Sequence, residues 1–186
     1  ICIVSNAHAQ DQGDLWKTLQ PPEIGDLWVQ PAQGKPAMPI WGHAKGLRVG
    51  LYPLPGPRGL IRVYTPYMGQ PGAIMINFIA VEPVVGRGGR GFSEMEHSDL
   101  DHAQGKRVWS TDTPEDTTPR LPIWPARGVV HEAGRVRTLT VYLVVEPYRN
   151  GAKVYTRLRF RSDRPHEVAI SAWTQKQSAP LKHCVL

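Results

Sequence analysis

A pair of alternating segments, joined by the tripeptide Arg149-Asn150-Gly151, constrains the fold more than any other feature of the sequence. The segment RTLTVYLVVEPY (137–148) precedes the tripeptide, and AKVYTRLRFRS (152–162) follows it. In both segments mostly apolar side chains recur at every second position, which is the period of a β-strand with one buried face. An Asn-Gly pair between such segments favours a hairpin turn. The sequence therefore predicts an antiparallel hairpin, and residues 166–173 are predicted to add a third strand.

The two faces of this predicted hairpin differ in chemistry. One face carries a mostly apolar set: Leu139, Val141, Leu143, Val145, Val154, Thr156, Leu158 and Phe160. The other face of the second strand carries an aromatic and cationic set: Lys153, Tyr155, Arg157, Arg159 and Arg161. An Arg side chain binds carboxylate or sulfate through two parallel hydrogen bonds. The cationic face therefore indicates either a cleft for an acidic glycan or an ordinary solvent-exposed strand face.

Four residues are predicted to bind substrate: Tyr155, Arg157, Arg159 and Trp109. Aromatic rings stack on the apolar faces of sugars, and Trp109 and Trp124 flank a Pro-rich segment (113–127) that is predicted to be a loop. The alternative is that each Trp packs in the core or against the loop, which is the more common use of this side chain.

Glycine and proline each occur 18 times in 186 residues, a frequency that interrupts long helices. The strongest helical candidate, DLWKTLQ (14–20), is short. Strands are predicted within 46–54, 59–67, 73–84, 92–98 and 106–112, and the apolar run 73–84 is predicted to be a central strand buried on both faces. Many short strands with few helices predict an all-β protein, an antiparallel β-sandwich or jelly roll.

The first residues indicate an exported protein. ICIV resembles the end of the apolar region of a signal peptide, and Ala7-His8-Ala9 fits the pattern that precedes a cleavage site. The alternative is the start of a buried strand. Residues 1–9 are thus predicted to be a signal remnant and 10–186 a single domain that is truncated at its C-terminus. Removal of Cys2 leaves Cys184 alone, which predicts a secreted or periplasmic bacterial protein without disulfides.

The chain carries 22 Lys and Arg against 16 Asp and Glu, a formal net charge of +6. Positive charge favours anionic partners, and it is equally typical of proteins that use charge for solubility. The Gly/Arg stretch 86–91 lacks the features of a phosphate-binding loop, and the signal remnant disfavours nucleic acid. The sequence contains no run of 18 apolar residues, so it predicts no membrane-spanning helix. The expected partner is polysaccharide, and the oligomeric state is not predicted.

Acidic residues are concentrated in the sequence GFSEMEHSDLDH (91–102), within a basic chain. If residues 92–98 form a strand, Glu94 and Glu96 share one face, about 6.5–7 Å apart along the strand. A bulge after Glu96 would bring Asp99 to the same face. Carboxylates held together repel, so one is pushed toward protonation and an acid stands beside a base. This arrangement predicts glycoside hydrolysis, which needs two carboxylates at short range.

The residues Glu94-Met95-Glu96-His97-Ser98-Asp99 read E-x-E-x-x-D, which resembles the E-x-D-x-x-E signature of the laminarinase and agarase type of jelly-roll glycoside hydrolases (family 16). The resemblance implies that Glu94 is the nucleophile, that Glu96 tunes it and that Asp99 is the acid/base. Two of the three positions differ from the signature by an exchange of Asp and Glu. The chain also resembles secreted proteins of polysaccharide-degrading bacteria in RGLIRVYTPY (58–67), INFIAVEP (76–83) and RGFSEMEHS (90–98).

Four alternatives to the hydrolase stay open. In the first, the acidic residues form salt bridges with a neighbouring strand, and the Arg row at 157, 159 and 161 is the expected partner. In the second, they bind calcium through oxygen ligands such as Asp99 and Asp101, whereas the primary expectation is that the protein uses no metal. In the third, the protein is a non-catalytic carbohydrate-binding module. In the fourth, it is a polysaccharide lyase, for which Tyr155, His97 and Arg157 are the residues of the required types.

Overall fold

The computed structural model describes residues 27–30, 39–43, 45–51, 58–66, 73–86, 89–120 and 126–186. The predicted signal remnant, the predicted helix at 14–20 and Trp124 lie outside these ranges. Within them the chain forms strands only, so no helix there could span a membrane. The strands are β1 (Leu27–Gln30), β2 (Ile40–His43), β3 (Arg48–Leu51), β4 (Leu60–Pro66), β5 (Ala73–Ala80), β6 (Glu82–Val85), β7 (Gly89–Arg90), β8 (Val108–Thr111), β9 (Val129–Ala133), β10 (Val136–Val145), β11 (Val154–Arg161), β12 (Ala169–Thr174) and β13 (Leu181–Val185).

The described strands form three sheets in which every pair is antiparallel. The first sheet has the order β1-β2-β3-β4-β5, so each strand pairs with its neighbour in sequence. The second has the order β12-β11-β10-β8, and β9 also pairs with β10. A small third sheet has the order β13-β6-β7. The prediction of an antiparallel all-β protein is therefore confirmed.

The core lies between the first and second sheets. Trp41, Val49 and Ile61 enter it from the first sheet, and Leu158 and Phe160 enter it from the second. All five are fully buried or nearly so. Each sheet therefore turns one apolar face to the other, which is the arrangement of a β-sandwich. The connectivity of a jelly roll stays a prediction.

The predicted hairpin is β10 and β11, paired from Thr138↔Arg161 to Val144↔Tyr155. Its tip is a three-residue loop closed by hydrogen bonds from Tyr148 N to Ala152 O (3.0 Å) and from Gly151 N to Tyr148 O (3.0 Å). Gly151 has φ +84°, a conformation that glycine adopts without strain. The Asn150 side chain accepts from Ala152 N and donates to Pro83 O, so the tip also contacts the third sheet.

The alternation predicted for β10 and β11 is confirmed. The side chains assigned to the apolar face are all fully buried: Leu139, Val141, Leu143, Val145, Val154, Thr156, Leu158 and Phe160. On β11 the intervening side chains are partly or fully exposed, from Tyr155 to Arg161. This exposed side of the second sheet, which carries Trp109, Tyr142, Val144, Tyr155, Arg157, Arg159 and Trp173, is called the outer face below.

The prediction of a central strand at 73–84 is wrong. The chain changes sheets at the buried Val81, so that β5 belongs to the first sheet and β6 to the third. Among the described strands β5 lies at the edge of its sheet, and Met75, Ile76 and Phe78 are 51%, 50% and 58% exposed. A continuous apolar run is typical of a strand covered on both faces, but here it forms an edge strand that exposes much of its apolar surface.

Candidate functional site

The acidic loop, residues 91–107 between β7 and β8, does not contain the predicted strand. Met95 N and Glu96 N both donate to Phe92 O, which closes a turn over residues 92–96. Glu94 and Glu96 therefore do not share a strand face, and the bulge expected after Glu96 has no strand to interrupt. The short alternating pattern favoured a strand, but backbone hydrogen bonds within the loop stabilise a turn instead.

Ser93 fixes the beginning of the acidic loop to the sandwich. Its hydroxyl donates to Gly59 O (2.6 Å) and accepts from Val81 N (2.8 Å), and the residue is fully buried. Gly59 has φ +71°, and a Cβ at this position would stand 1.8 Å from Ser93 O. Only glycine fits here, because a side chain would meet backbone rather than another side chain.

Glu96 and Asp99 are held by a buried cation. Lys106 has a fully buried side chain, and its Nζ lies 3.0 Å from Asp99 Oδ2 and 3.7 Å from Glu96 Oε2. Glu96 also accepts from Phe92 N (3.2 Å) and Arg149 N (2.9 Å). Two of the three predicted catalytic carboxylates thus stabilise the loop, and their cationic partner is Lys106.

Glu146, which sequence reasoning did not select, closes the acidic loop from the end of β10. It is 2% exposed, and its carboxylate accepts from Asp99 N (2.5 Å), Leu100 N (3.2 Å) and Arg107 N (2.9 Å). A buried carboxylate is costly unless its oxygens are hydrogen-bonded, and these three donors meet that need. The signal in the sequence was an acidic residue directly after the apolar end of β10, Leu143–Val145.

Asp101 forms the third ionic anchor of the loop. It accepts from Arg58 at 2.6 and 2.9 Å and pairs with Arg107. Arg58 also donates to backbone carbonyls of the loop, including Gly105 O at 2.9 Å. The hydrogen bond from Arg58, together with Arg107, holds the pKa of the Asp101 carboxyl well below its usual range.

The Arg residues of β11 are not the partners of these acids, contrary to the expectation from sequence. Arg161 pairs with Asp163 at 2.7 Å, and the acidic loop draws its cations from Arg58, Lys106 and Arg107. Within the part of the chain that the structure describes, no three or more His, Cys, Asp or Glu residues are grouped to hold a metal ion. Calcium binding stays a prediction.

Glu94 is the least engaged of the three predicted catalytic residues. Its side chain is partly exposed and lies 3.5 Å from Ser93 Oγ. His97 lies in the same loop, where its backbone forms a bridge with Gln104, whereas the other residues proposed for a lyase lie on β11. The catalytic roles of Glu94, Glu96 and Asp99 stay predictions.

The outer face of the second sheet brings the predicted substrate-binding residues together. The strand register places Trp109, Val144, Tyr155 and Trp173 directly across β8, β10, β11 and β12 in one row. The adjacent row contains Thr111, Tyr142, Arg157 and Ser171. Residues that oppose each other in an antiparallel pair point to the same side, so both rows lie on the outer face.

A pocket of about 450 Å³ lies over the first row. Trp109, Val144 and Tyr155 line it on the sheet side, and Pro114 and Pro119 line it from the Pro-rich segment. Trp109 is only 1% exposed, so it forms a wall of this aromatic pocket rather than the exposed stacking platform that we expected. This volume is in the range of small-ligand sites.

Trp173 is the exposed aromatic of the row and was not selected from the sequence. It is 47% exposed, and the Arg157 guanidinium lies 5.2 Å from its ring centroid, within the range of a cation–π contact. Its position in the predicted third strand, on the same face as Tyr155, was the signal that would have identified it. Trp173 supplies the exposed aromatic surface that Trp109 lacks.

Tyr155 is held between aromatic and charged neighbours. Its ring meets Tyr142 edge to face at 5.9 Å between centroids. Partial burial and the neighbouring Tyr142 raise the pKa of the Tyr155 phenol, while Arg157 acts in the opposite direction. The phenol is therefore protonated at neutral pH, which suits a hydrogen-bond donor better than the general base of a lyase.

A second groove, of about 320 Å³, lies farther along β11 on the same side of the sheet. We call it the arginine groove; it is lined by Thr138, Arg159, Arg161, Arg164, Glu167 and Ala169. The predicted substrate residue Arg159 lies here, two positions from Arg157. The outer face therefore presents an aromatic pocket toward one end and a cationic groove toward the other.

No protein-family model matches the chain, and neither the curated proteins nor the solved structures include a match to it.

Proposed function

We propose that this protein is an exported polysaccharide-binding protein whose ligand lies along the outer face of the second sheet. The observation that carries the proposal is the row of Trp109, Val144, Tyr155 and Trp173, which is in register across four strands beside a pocket. A row of this kind offers ring faces and phenol hydrogen bonds to successive parts of an extended ligand.

The contents of the acidic loop support binding over hydrolysis as the first choice. A retaining or inverting glycosidase needs two carboxylates that face its substrate. Glu96 contacts Lys106 and also accepts two backbone N–H groups. Asp99 pairs with the same Lys106, although its side chain is 70% exposed. These contacts stabilise the acidic loop, and a substrate that replaced them would destabilise it.

Hydrolysis is the second candidate, and the observation that favours it is the partly exposed Glu94. A hydrolase would use Glu94 as the nucleophile, and Glu94→Gln would abolish the release of reducing ends from a neutral, uronic or sulfated polysaccharide. Hydrolysis is excluded if the wild type releases no reducing ends, or if Glu94→Gln releases as many as the wild type. Absorbance near 235 nm that appears in both proteins would favour a lyase instead.

The binding proposal is tested by affinity electrophoresis and calorimetry with the same polysaccharides. We expect Trp173→Ala to weaken binding about tenfold or more, because stacking on an exposed ring is lost. Phe78→Ala is the matched control, since Phe78 is an exposed aromatic on the first sheet at 58% exposure. Equal effects of the two substitutions, or no binding by the wild type, would contradict the proposal.

A further inference from the structure

We propose that the arginine groove binds an anionic group of the polysaccharide, a carboxylate or a sulfate ester, while the aromatic pocket holds an uncharged part of the same chain. The inference rests on the proposed function and extends it to the substrate class. It gives Arg161, Arg164 and Thr138 a role in recognition beside Arg159.

The charge of the groove favours an anion. Three guanidinium groups line it, and the carboxylates beside them are two, Glu167 in the lining and Asp163 paired with Arg161. Arg161 uses Nε and Nη2 on Asp163, at 2.9 and 2.7 Å, and Arg164 uses Nη1 on Glu167 at 2.8 Å. Both side chains keep further N–H groups outside these pairs, since each guanidinium has five donors.

Arg159 distinguishes this groove from a solvated face of balanced ion pairs. It is exposed, and no acidic partner contacts it among the residues that the structure describes. An incoming carboxylate or sulfate would therefore break no existing pair at Arg159. The planar fork of donors on Arg159 matches both anions, which accept two parallel hydrogen bonds. The hydroxyl of Thr138, opposite Arg161 in the strand register, adds a neutral donor to the groove.

The spacing of the two sites determines how long the ligand must be. Tyr155 and Arg159 are four residues apart on the same face of β11, which corresponds to about 13 Å along the strand. A single acidic sugar cannot contact both sites. An anionic oligosaccharide should therefore bind tightly only when it is long enough to reach from the aromatic pocket to the groove.

The test is calorimetry with oligosaccharides of increasing length from polygalacturonate, from a sulfated galactan and from a neutral galactan. The proteins are the wild type, Arg159→Gln, Arg159→Lys and the control Arg135→Gln. Arg135 lies in the turn between β9 and β10, is exposed, and does not line the groove. The control therefore removes the same charge from another part of the surface.

We expect long acidic oligosaccharides to bind about tenfold more tightly than neutral ones of equal length. Arg159→Gln should remove this preference, and Arg159→Lys should restore only part of it, because Lys keeps the charge without the planar fork. Arg135→Gln should leave it intact. The two acidic series will show whether carboxylate or sulfate ester is preferred.

Three outcomes would overturn the inference: equal affinity of the wild type for acidic and neutral chains, a preference that survives in Arg159→Gln, or an equal loss in Arg135→Gln. If neutral chains still bind in a manner that depends on Trp173, the proposed function stands without the anionic site. If no polysaccharide binds the wild type, the proposed function itself fails.

Discussion

Asp101 shows how one carboxylate in the acidic stretch serves the fold. It contacts Arg58 and Arg107, which approach from different segments of the chain, and Arg58 donates to three carbonyls of the same loop. Such charge-assisted bonds are worth more than exposed ion pairs because part of each group is removed from water. The carboxylate therefore joins the beginning of β4 to the acidic loop.

Asp101→Asn should lower the free energy of unfolding by about 2 kcal/mol at neutral pH. The folded-state pKa of Asp101 lies below the unfolded value of about 3.9, so the stabilisation is fully present above about pH 4 and is lost as the pH falls through the folded pKa. Urea unfolding at several pH values should show the gap between wild type and variant closing in acid. Asp163→Asn, which removes an exposed pair with Arg161, should cost less than about 1 kcal/mol; an equal cost would contradict this account.

The sequence identified the outer-face residues Tyr155, Arg157 and Arg159 because strict alternation over a long strand leaves one interpretation. It could not show that Trp109 is buried, because the sequence does not reveal that the neighbouring Pro-rich segment folds back to line the pocket beside it. Nor could it distinguish Glu96 from Glu94. The partners of Glu96 are Lys106 and the amide of Arg149, and only the folded chain brings these groups together.

At the scale of elements, the long alternation of residues 137–162 predicted two strands correctly, whereas the short alternation of residues 92–98 predicted a strand that the structure does not contain. The hairpin of β10 and β11 repeats its pattern over two strands and has an Asn-Gly turn between them. Residues 92–98 offered only a few alternating positions, and local bonds from Met95 N and Glu96 N to Phe92 O produced a turn instead. The apolar run 73–84 was identified as strand, but its division into β5 and β6 depends on pairing with distant segments.

Lys106→Met should destabilise the protein by about 2–3 kcal/mol, because Glu96 and Asp99 would lose their buried cation while Met keeps much of the side-chain volume. The unfolding midpoint in urea measures this cost. Lys182→Met, at an exposed position of β13, removes the same charge and should cost under about 0.5 kcal/mol. A small effect of Lys106→Met would mean that Glu96 and Asp99 do not need the ammonium group.

At the scale of the whole molecule, the sandwich leaves apolar surface at one edge of the first sheet. β5 has no charged residue, and Ile74, Met75, Ile76 and Phe78 are all at least 39% exposed. Natural edge strands usually carry charges or prolines that prevent pairing with another chain. The described part of this edge lacks such protection between residues 73 and 80.

Ile76→Lys should therefore reduce concentration-dependent association, as measured by light scattering and analytical ultracentrifugation. Leu100→Lys is the matched control, because Leu100 is an exposed apolar residue in the acidic loop at 41% exposure. If both substitutions improve solubility equally, net charge rather than the edge of β5 is responsible.

The carboxylate of Glu146 has a consequence for the timing of local opening. It holds the amides of Asp99, Leu100 and Arg107 at once, and so ties the middle of the acidic loop to its end. Each of these amides is open to water only when its hydrogen bond to the Glu146 carboxylate breaks. Their hydrogens should therefore exchange with deuterium as a single kinetic group. The Glu146 side chain, at the end of β10, would then make residues 99–107 of the acidic loop open and close as a unit.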